Sequence, residues 1–222
     1  MNDPVKKIKR RYRSKLRATQ AQDTRKAILD AARKLFTEKG WETPISAIAL
    51  EASVSKETIY AVFGNKQAIL EQLITALLRG SDDQTPLIDQ PDRVAILAET
   101  NEQVQIQRFS SDIASILARV APLVDVVQSA ARSSQEIAAL YDKLHRGRRN
   151  NLKKLVMALA ANGMLREGLD PDRATDTVWR LASPELFLLV TRTEGLTQAD
   201  YAIWLTSMLK ASLLKENAPD PA

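Results

Sequence analysis

Few side chains in this sequence could make or break a covalent bond. There is no cysteine, which excludes thiolate catalysis, a disulfide framework and thiolate metal sites. The one histidine, His145, excludes any metal site that needs two imidazoles. It stands beside Arg146, Arg148 and Arg149, with Lys153 and Lys154 further on. So much positive charge argues against a general base. A solvated helix face is the expectation there, with an anion-binding patch as the alternative. Ser53-Val54-Ser55-Lys56 matches the S-x-x-K of serine acyl-enzymes, but its partner motifs are missing. Asp82 and Asp83 could begin a metal site but have no further ligands nearby in the chain. No enzyme activity, cofactor or metal is expected.

What remains is the chemistry of recognition. Lys56, Glu57, Thr58, Tyr60 and Ala61 are a cation, a carboxylate, two hydroxyls and a methyl within six consecutive positions. Such groups read base edges or touch phosphates in a major groove. Charge points the same way. Residues 1–17 hold eight Lys/Arg against one acid. Residues 18–66 hold seven against six, and residues 67–222 hold seventeen against twenty. A basic arm is joined to a nearly neutral body, and such arms bind nucleic acid or anionic surfaces. The run Lys7–Arg13 also resembles a nuclear localisation signal, and a solvated tail is the plainest alternative. Ahead of a recognition segment, a DNA-tracking arm is the better reading.

These groups need elements to position them. Aromatics are 5% of the chain and hydrophobic residues 45%, with Ala, Leu, Glu, Lys, Arg and Gln dominant. That composition favours an all-α fold. Ile28, Leu29, Ala32, Leu35 and Phe36 repeat with a 3.6 period, which predicts a helix from Thr24 to Lys39 stopped by Gly40. Thr43-Pro44 reads as a cap and first helical residue, opening a short helix to about Ala52. Ser55 caps a second short helix, Lys56 to Phe63. Asn65 caps a third, striped by Ile69, Leu70, Leu73, Ile74, Leu77 and Leu78 and ended by Gly80. Two short helices joined by about three residues form a helix-turn-helix. The helix starts at Lys56 and Lys66 also offer free N–H groups to phosphate.

Thr24-Arg25-x-x-Ile28-Leu29-x-Ala31-Ala32-x-x-Leu35-Phe36-x-x-x-Gly40 resembles the first helix of TetR-family transcription regulators. Ile48-Ala49-x-x-Ala52-Ser53-Val54-Ser55-x-x-Thr58-Ile59-Tyr60-x-x-Phe63-x-Asn65-Lys66-x-x-Ile69-Leu70 resembles their helix-turn-helix. Ser53 stands where that family usually has the turn glycine, and Pro44 where it commonly has Thr or Ser. The resemblance implies that Tyr60 and Lys66 grip phosphates and that Thr58 touches phosphate or a base edge. It implies that Lys56, Glu57 and Ala61 read sequence beside Ser55. Ser46, Thr24 and Arg25 would touch the DNA backbone.

Beyond residue 80 the chain reads as a linker, 81–91, followed by a helical body, 92–216, and a short tail, 217–222. Helices are expected at about 92–108, 110–119, 122–132 and 134–162. Gly168-Leu169-Asp170-Pro171 starts another, running to Thr193 with a kink at Pro184. Ala199–Lys215 follows. The last two carry more apolar circumference than one core face needs, so a second copy of the chain is expected against them. Val178, Leu181, Leu188, Leu189, Leu205 and Leu209 are the interface candidates. Pro122-Leu123, Asn162-Gly163-x-Leu165-x-x-Gly168-Leu169 and Trp179-x-Leu181-x-Ser183-x-Glu185-Leu186 resemble one TetR subgroup, which implies an effector-binding and dimerisation domain. Phe109, Asp112, Tyr141, Trp179 and Phe187 are its candidate pocket residues.

The whole reads as a 1–20 basic disordered arm, a 21–66 DNA-binding domain, a 67–80 connecting helix and the body. The expected function is a homodimeric, cytoplasmic, sequence-specific regulator of double-stranded DNA, most simply a repressor. It would bind a palindrome through recognition helices ~34–36 Å apart. A small-molecule effector, hydrophobic or cationic rather than a phosphate ester, would release it. A ligand-binding helical enzyme or carrier with a basic arm is the alternative. No apolar run approaches the ~18 residues of a membrane span, and no secretory signal is expected.

Overall fold

The structure, a computed structural model, describes residues 4–80 and 85–215, with side chains described from residue 19 onward. The basic side chains of the expected arm, Asp82, Asp83 and the tail lie outside the described residues. Among the described residues there are ten α-helices and no strand, so the fold is all-α as composition predicts. Two compact units divide between Leu73 and Ile74.

The first unit begins with α1 (Pro4–Lys39). The helix expected from Thr24 thus starts far upstream, through the segment expected to be a disordered arm. That segment is rich in Lys and Arg, which are good helix formers, has no glycine, and has its one proline, Pro4, at the first position of the helix, so nothing inside it breaks a helix. Ile28, Ala32 and Phe36 are fully buried along one stripe. Gly40, at φ 74°, ends the helix. Next come α2 (Ile45–Glu51), α3 (Lys56–Phe63) and α4 (Lys66–Arg79). Ile48, Ile59, Ile69 and Leu70 are fully buried. Thr43 is not the cap expected of it. Pro44 holds that position without a side-chain hydrogen bond. The buried Thr43 hydroxyl donates instead to carbonyl oxygens of Leu35 and Gly40, which completes the end of α1.

The second unit is a helical stack. A 3-10 turn, Leu87–Asp89, precedes α5 (Pro91–Ala98). The helix expected to run to about residue 108 stops there. Asn101 Oδ1 accepts from the N–H groups of Gln103 and Val104, both at 3.0 Å, and starts α6 (Glu102–Ala131). This single helix replaces two expected ones and passes straight through Pro122. Proline removes one helix hydrogen bond, but Val120, Ala121, Leu123 and Val124 around it are all buried, and burial keeps the helix whole. α6 also holds an apolar stretch long enough to cross a membrane, which the sequence reading overlooked. It is 61% buried within the protein, as befits a core helix. After α7 (Gln135–Ala161), Asp170 caps α8 (Pro171–Leu181) as its sequence signal predicts. α9 (Pro184–Leu188) runs into a π-helical turn, Leu189–Thr193, and α10 (Gln198–Leu213) closes the unit. α10 packs on α6 and α8, and α7 packs on the same two helices. Leu117, Leu155, Val178, Tyr201, Leu205 and Leu209 belong to their shared core.

Candidate nucleic-acid interface

The turn between α2 and α3 is built by hydrogen bonds that its sequence dictates. The N–H of Val54 donates to Ala49 O at 2.9 Å and that of Ser53 to Leu50 O at 3.1 Å. This is a Schellman closure with Ser53 at the left-handed position, where glycine is usual. Ser53 accordingly has φ 54°, the one positive value at a non-glycine among the described residues. Its side chain is thus carried on a strained turn. Ser55 then caps α3, its Oγ accepting from Thr58 N at 3.1 Å. With Ile59 and Phe63 buried, the opposite face of α3 is fixed outward. Lys56, Glu57, Tyr60 and Ala61 are exposed on it and Thr58 is half-buried at its edge. A hydrogen bond from its own backbone N–H, followed by Ser55, holds the Glu57 carboxyl below its ordinary range, so a carboxylate stands at the start of α3. Carboxylates accept from the amino group of cytosine.

The flanking residues are more occupied than their sequence suggests. Ser46 is exposed on α2. Thr24 is half-buried inside α1 and its hydroxyl donates to Gln20 O at 2.8 Å. Arg25 lies 5.0 Å from the centre of the Phe63 ring and donates to Gln72 Oε1. Lys66 turns back toward the α1–α2 connection. Its Nζ donates to Trp41 O at 2.6 Å and Thr43 O at 3.3 Å, and lies 4.1 Å from the centre of the Trp41 ring. Burial lowers its pKa from the ordinary value. A phosphate contact has to use the remaining N–H of Lys66. Trp41, which follows the Gly40 stop, is the residue that sequence reading missed here.

The expected effector residues do not gather at one place. Phe109 and Asp112 line a small, partly open cavity, about 70 Å³, between the 3-10 turn, α5, α6 and α7. Its walls are apolar except for Arg93, Asp112 and Asn151. Arg93 Nη2 donates to Asp112 Oδ1 at 2.9 Å. Burial pushes the Asp112 carboxyl up, and the nearby Arg93 and Arg119 pull it back. Phe187 is instead core, edge-on to Tyr201 at 5.0 Å. Tyr141 and Trp179 flank His145 at 4.2 and 5.7 Å.

His145 therefore does not sit on a solvated face. Arg148 is tucked under α8, its Nη1 donating to Trp179 O at 2.8 Å and Ala182 O at 2.9 Å. Burial lowers its pKa to about 10. Tyr141 donates to Glu185 Oε1 at 2.9 Å, and burial followed by that contact pushes its phenol up to about 12. Only the neighbouring cations behave as expected of a solvated face. Arg149 pairs with Asp176 at 2.7 Å and Lys153 with Asp172 at 2.7 Å. The turn of helix that brings His145 and Arg148 inward carries Arg146 out.

The interface candidates need correction too. Val178, Leu205 and Leu209 are fully buried inside the unit, and Leu181 and Leu188 are half-buried. They fill this chain's own core. From α9 onward, the large apolar residues left outside among the described residues are Leu189 (45% exposed), Leu196 (43%), Ile203 (67%) and Met208 (37%). Of the expected set, only Leu189 is among them.

A three-helix head with a capped, outward polar helix defines a helix-turn-helix DNA-binding regulator. Residues 28–73 match the model of "Bacterial regulatory proteins, tetR family". The HTH-type transcriptional regulator YdeS of Bacillus subtilis is 30% identical over 160 residues, covering 70% of this chain and 74% of that protein. The chain belongs to the TetR family. Its fold is similar to that of NalD, described as the secondary repressor of the MexAB-OprM multidrug efflux pump in Pseudomonas aeruginosa. That match has a TM-score of 0.67 and 19% identity and covers 90% of this chain and 100% of NalD. The fold also resembles FadR from Bacillus subtilis, solved in complex with stearoyl-CoA, with a TM-score of 0.66, 23% identity and coverage of 82% and 96%.

Proposed function

We propose that this chain is a homodimeric transcription repressor that binds a palindromic operator and leaves it when a small molecule occupies the second unit. The observation that carries the reading is the row Lys56, Glu57, Tyr60 and Ala61. It faces outward on a helix whose start is fixed by Ser55 and whose back is buried. Tyr60 and the N-terminal N–H groups of α3 supply phosphate contacts. Lys56 and Glu57 supply base contacts. Ser46, Thr24 and Arg25 flank them, with Lys66 behind. The exposed apolar side chains Leu189, Leu196, Ile203 and Met208 support a dimer formed by the last helices. The repressor role of NalD and the ligand complex of FadR support release by an effector.

Selection of bound duplexes from a random pool tests this. The expected product is an inverted repeat whose half-sites lie about one helical turn apart. Lys56→Ala should relax preference at one or two positions of each half-site, costing about 1–3 kcal/mol of discrimination. A pool that stays random, or that yields a site without two-fold symmetry, overturns the proposal.

A further inference from the structure

The cavity of the second unit has at its wall a charged donor with nothing to donate to. Arg93 has its side chain 13% exposed. Its Nη1 donates to Gln90 Oε1 and its Nη2 to Asp112 Oδ1. Its Nε is buried and makes no hydrogen bond among the described residues. A buried orphan N–H is destabilising, and more so on a charged group, so a folded protein rarely keeps one without use. Nε and Nη2 form one edge of the guanidinium fork, the edge that a carboxylate grips with both oxygens. Asp112 reaches this edge with a single oxygen and only at Nη2, so Nε stays unpaired, and a ligand reaches it only once the Asp112 side chain has moved aside. The second cation nearby, Arg119, is engaged elsewhere, its Nε donating to Leu77 O at 3.0 Å. Asp92 also acts on Asp112 but is itself exposed.

Away from that fork the walls are hydrocarbon, among them Ile96, Phe109, Ile113 and Leu155. At about 70 Å³ the space is well below the ~300–1,000 Å³ of pockets for drug-sized ligands. The occupant has to be slender.

We infer that Arg93 is the ligand-reading residue of this cavity and that its ligand is a slender apolar monocarboxylate. The carboxylate lies across Nε and Nη2, displacing Asp112 from the fork, and the hydrocarbon part enters between α5, α6 and α7. This agrees with the sequence-based expectation of a hydrophobic effector that is not a phosphate ester, and adds a carboxylate head to it. Because the guanidinium also holds Gln90, and Gln90 Nε2 donates to Arg79 O at 3.1 Å, the ligand head lies two hydrogen bonds from the last residue of α4. The regulatory meaning of this contact rests on the effector-released reading above; the binding itself does not.

Titration calorimetry of the full chain, without DNA, tests the inference with three probes of one length: hexanoate, hexanol and hexylamine. Hexanoate should bind at least tenfold more tightly than the other two. Arg93→Gln should abolish that preference, leaving acid and alcohol alike. Asp112→Asn should move the other way and tighten hexanoate severalfold, because the competing carboxylate is gone. Opposite shifts in two variants cannot come from misfolding. No hexanoate binding at millimolar concentration, equal affinity for hexanol in the unaltered chain, or a preference that survives Arg93→Gln would each overturn it. A chain that binds hexanoate yet selects no DNA would leave this assignment standing and sink the regulatory reading.

Discussion

Ser53 is a residue held where its side chain is unwelcome. A Cβ in the left-handed region costs about 1–2 kcal/mol, while the greater flexibility of an unfolded glycine costs about 0.5–1 kcal/mol. Strain outweighs flexibility, so Ser53→Gly should stabilise the chain by about 0.5–1 kcal/mol, read as a higher urea midpoint; an unchanged or lower midpoint contradicts this. The turn was legible in the sequence because the Ser53–Ser55 break, its cap and its flanking stripes are all local. His145 was not. Its environment comes from α8 and α9, far along the chain, and a run of basic residues does not say which of them face in. Its Nε2 lies 3.5 Å from Glu185 Oε1, its Nδ1 lies 3.5 Å from Arg148 Nη2, and Asp142 and Tyr141 stand close by. Burial first, then Arg148, hold its pKa below 6.5. The unfolded chain therefore binds the proton more readily. Stability should be fully present above pH 6.5 and fall as pH drops toward the lower folded pKa, by at most about 1.4 kcal/mol per pH unit. With a single histidine in the chain, His145→Gln should flatten stability between pH 7 and 5.5. Urea midpoints with the same pH slope in both proteins would count against this account.

At the scale of elements, the three prolines that follow helix-like runs divide by what precedes them. Ser183 accepts from Leu186 N at 3.1 Å and restarts the chain as α9 at Pro184. The expected kink is thus a full stop and a new cap. Before Pro122 stands Ala121, which cannot cap, and α6 continues. Before Pro44 stands Thr43, whose hydroxyl is drawn to α1 instead. Period and stop signals made α3, α4 and α7 readable almost to the residue, but the Pro122 helix depended on burial that no local pattern reveals. Ser183→Ala should cost about 1 kcal/mol, read as a lower thermal midpoint. Ser111→Ala, an alanine change at an exposed position inside α6 and away from either cap, should leave it unmoved. A Ser183→Ala midpoint equal to that of the unaltered chain would mean that Pro184 alone sets the restart.

For the whole molecule, the distinction that sequence could not make is between a core shared within one chain and a face left for another. Both present apolar stripes; in α10 they are interleaved, with Leu205 fully buried and Ile203 67% exposed. Ile203→Glu should yield a folded monomer in sedimentation velocity with unchanged circular dichroism. Leu205→Ala should cost about 2–5 kcal/mol without preference for either assembly state. A dimer that survives Ile203→Glu would place the interface elsewhere. The same helix sets the order in which the molecule is made. Contacts of the first unit end at Leu73, whereas the core of the second includes Leu213 and Leu214, and Arg166 N donates to Leu213 O at 2.8 Å. Chains leave the ribosome N-terminus first and fold by domain. The first unit can thus finish while translation continues, but the unit proposed to silence it cannot close until Leu213 and Leu214 have been added.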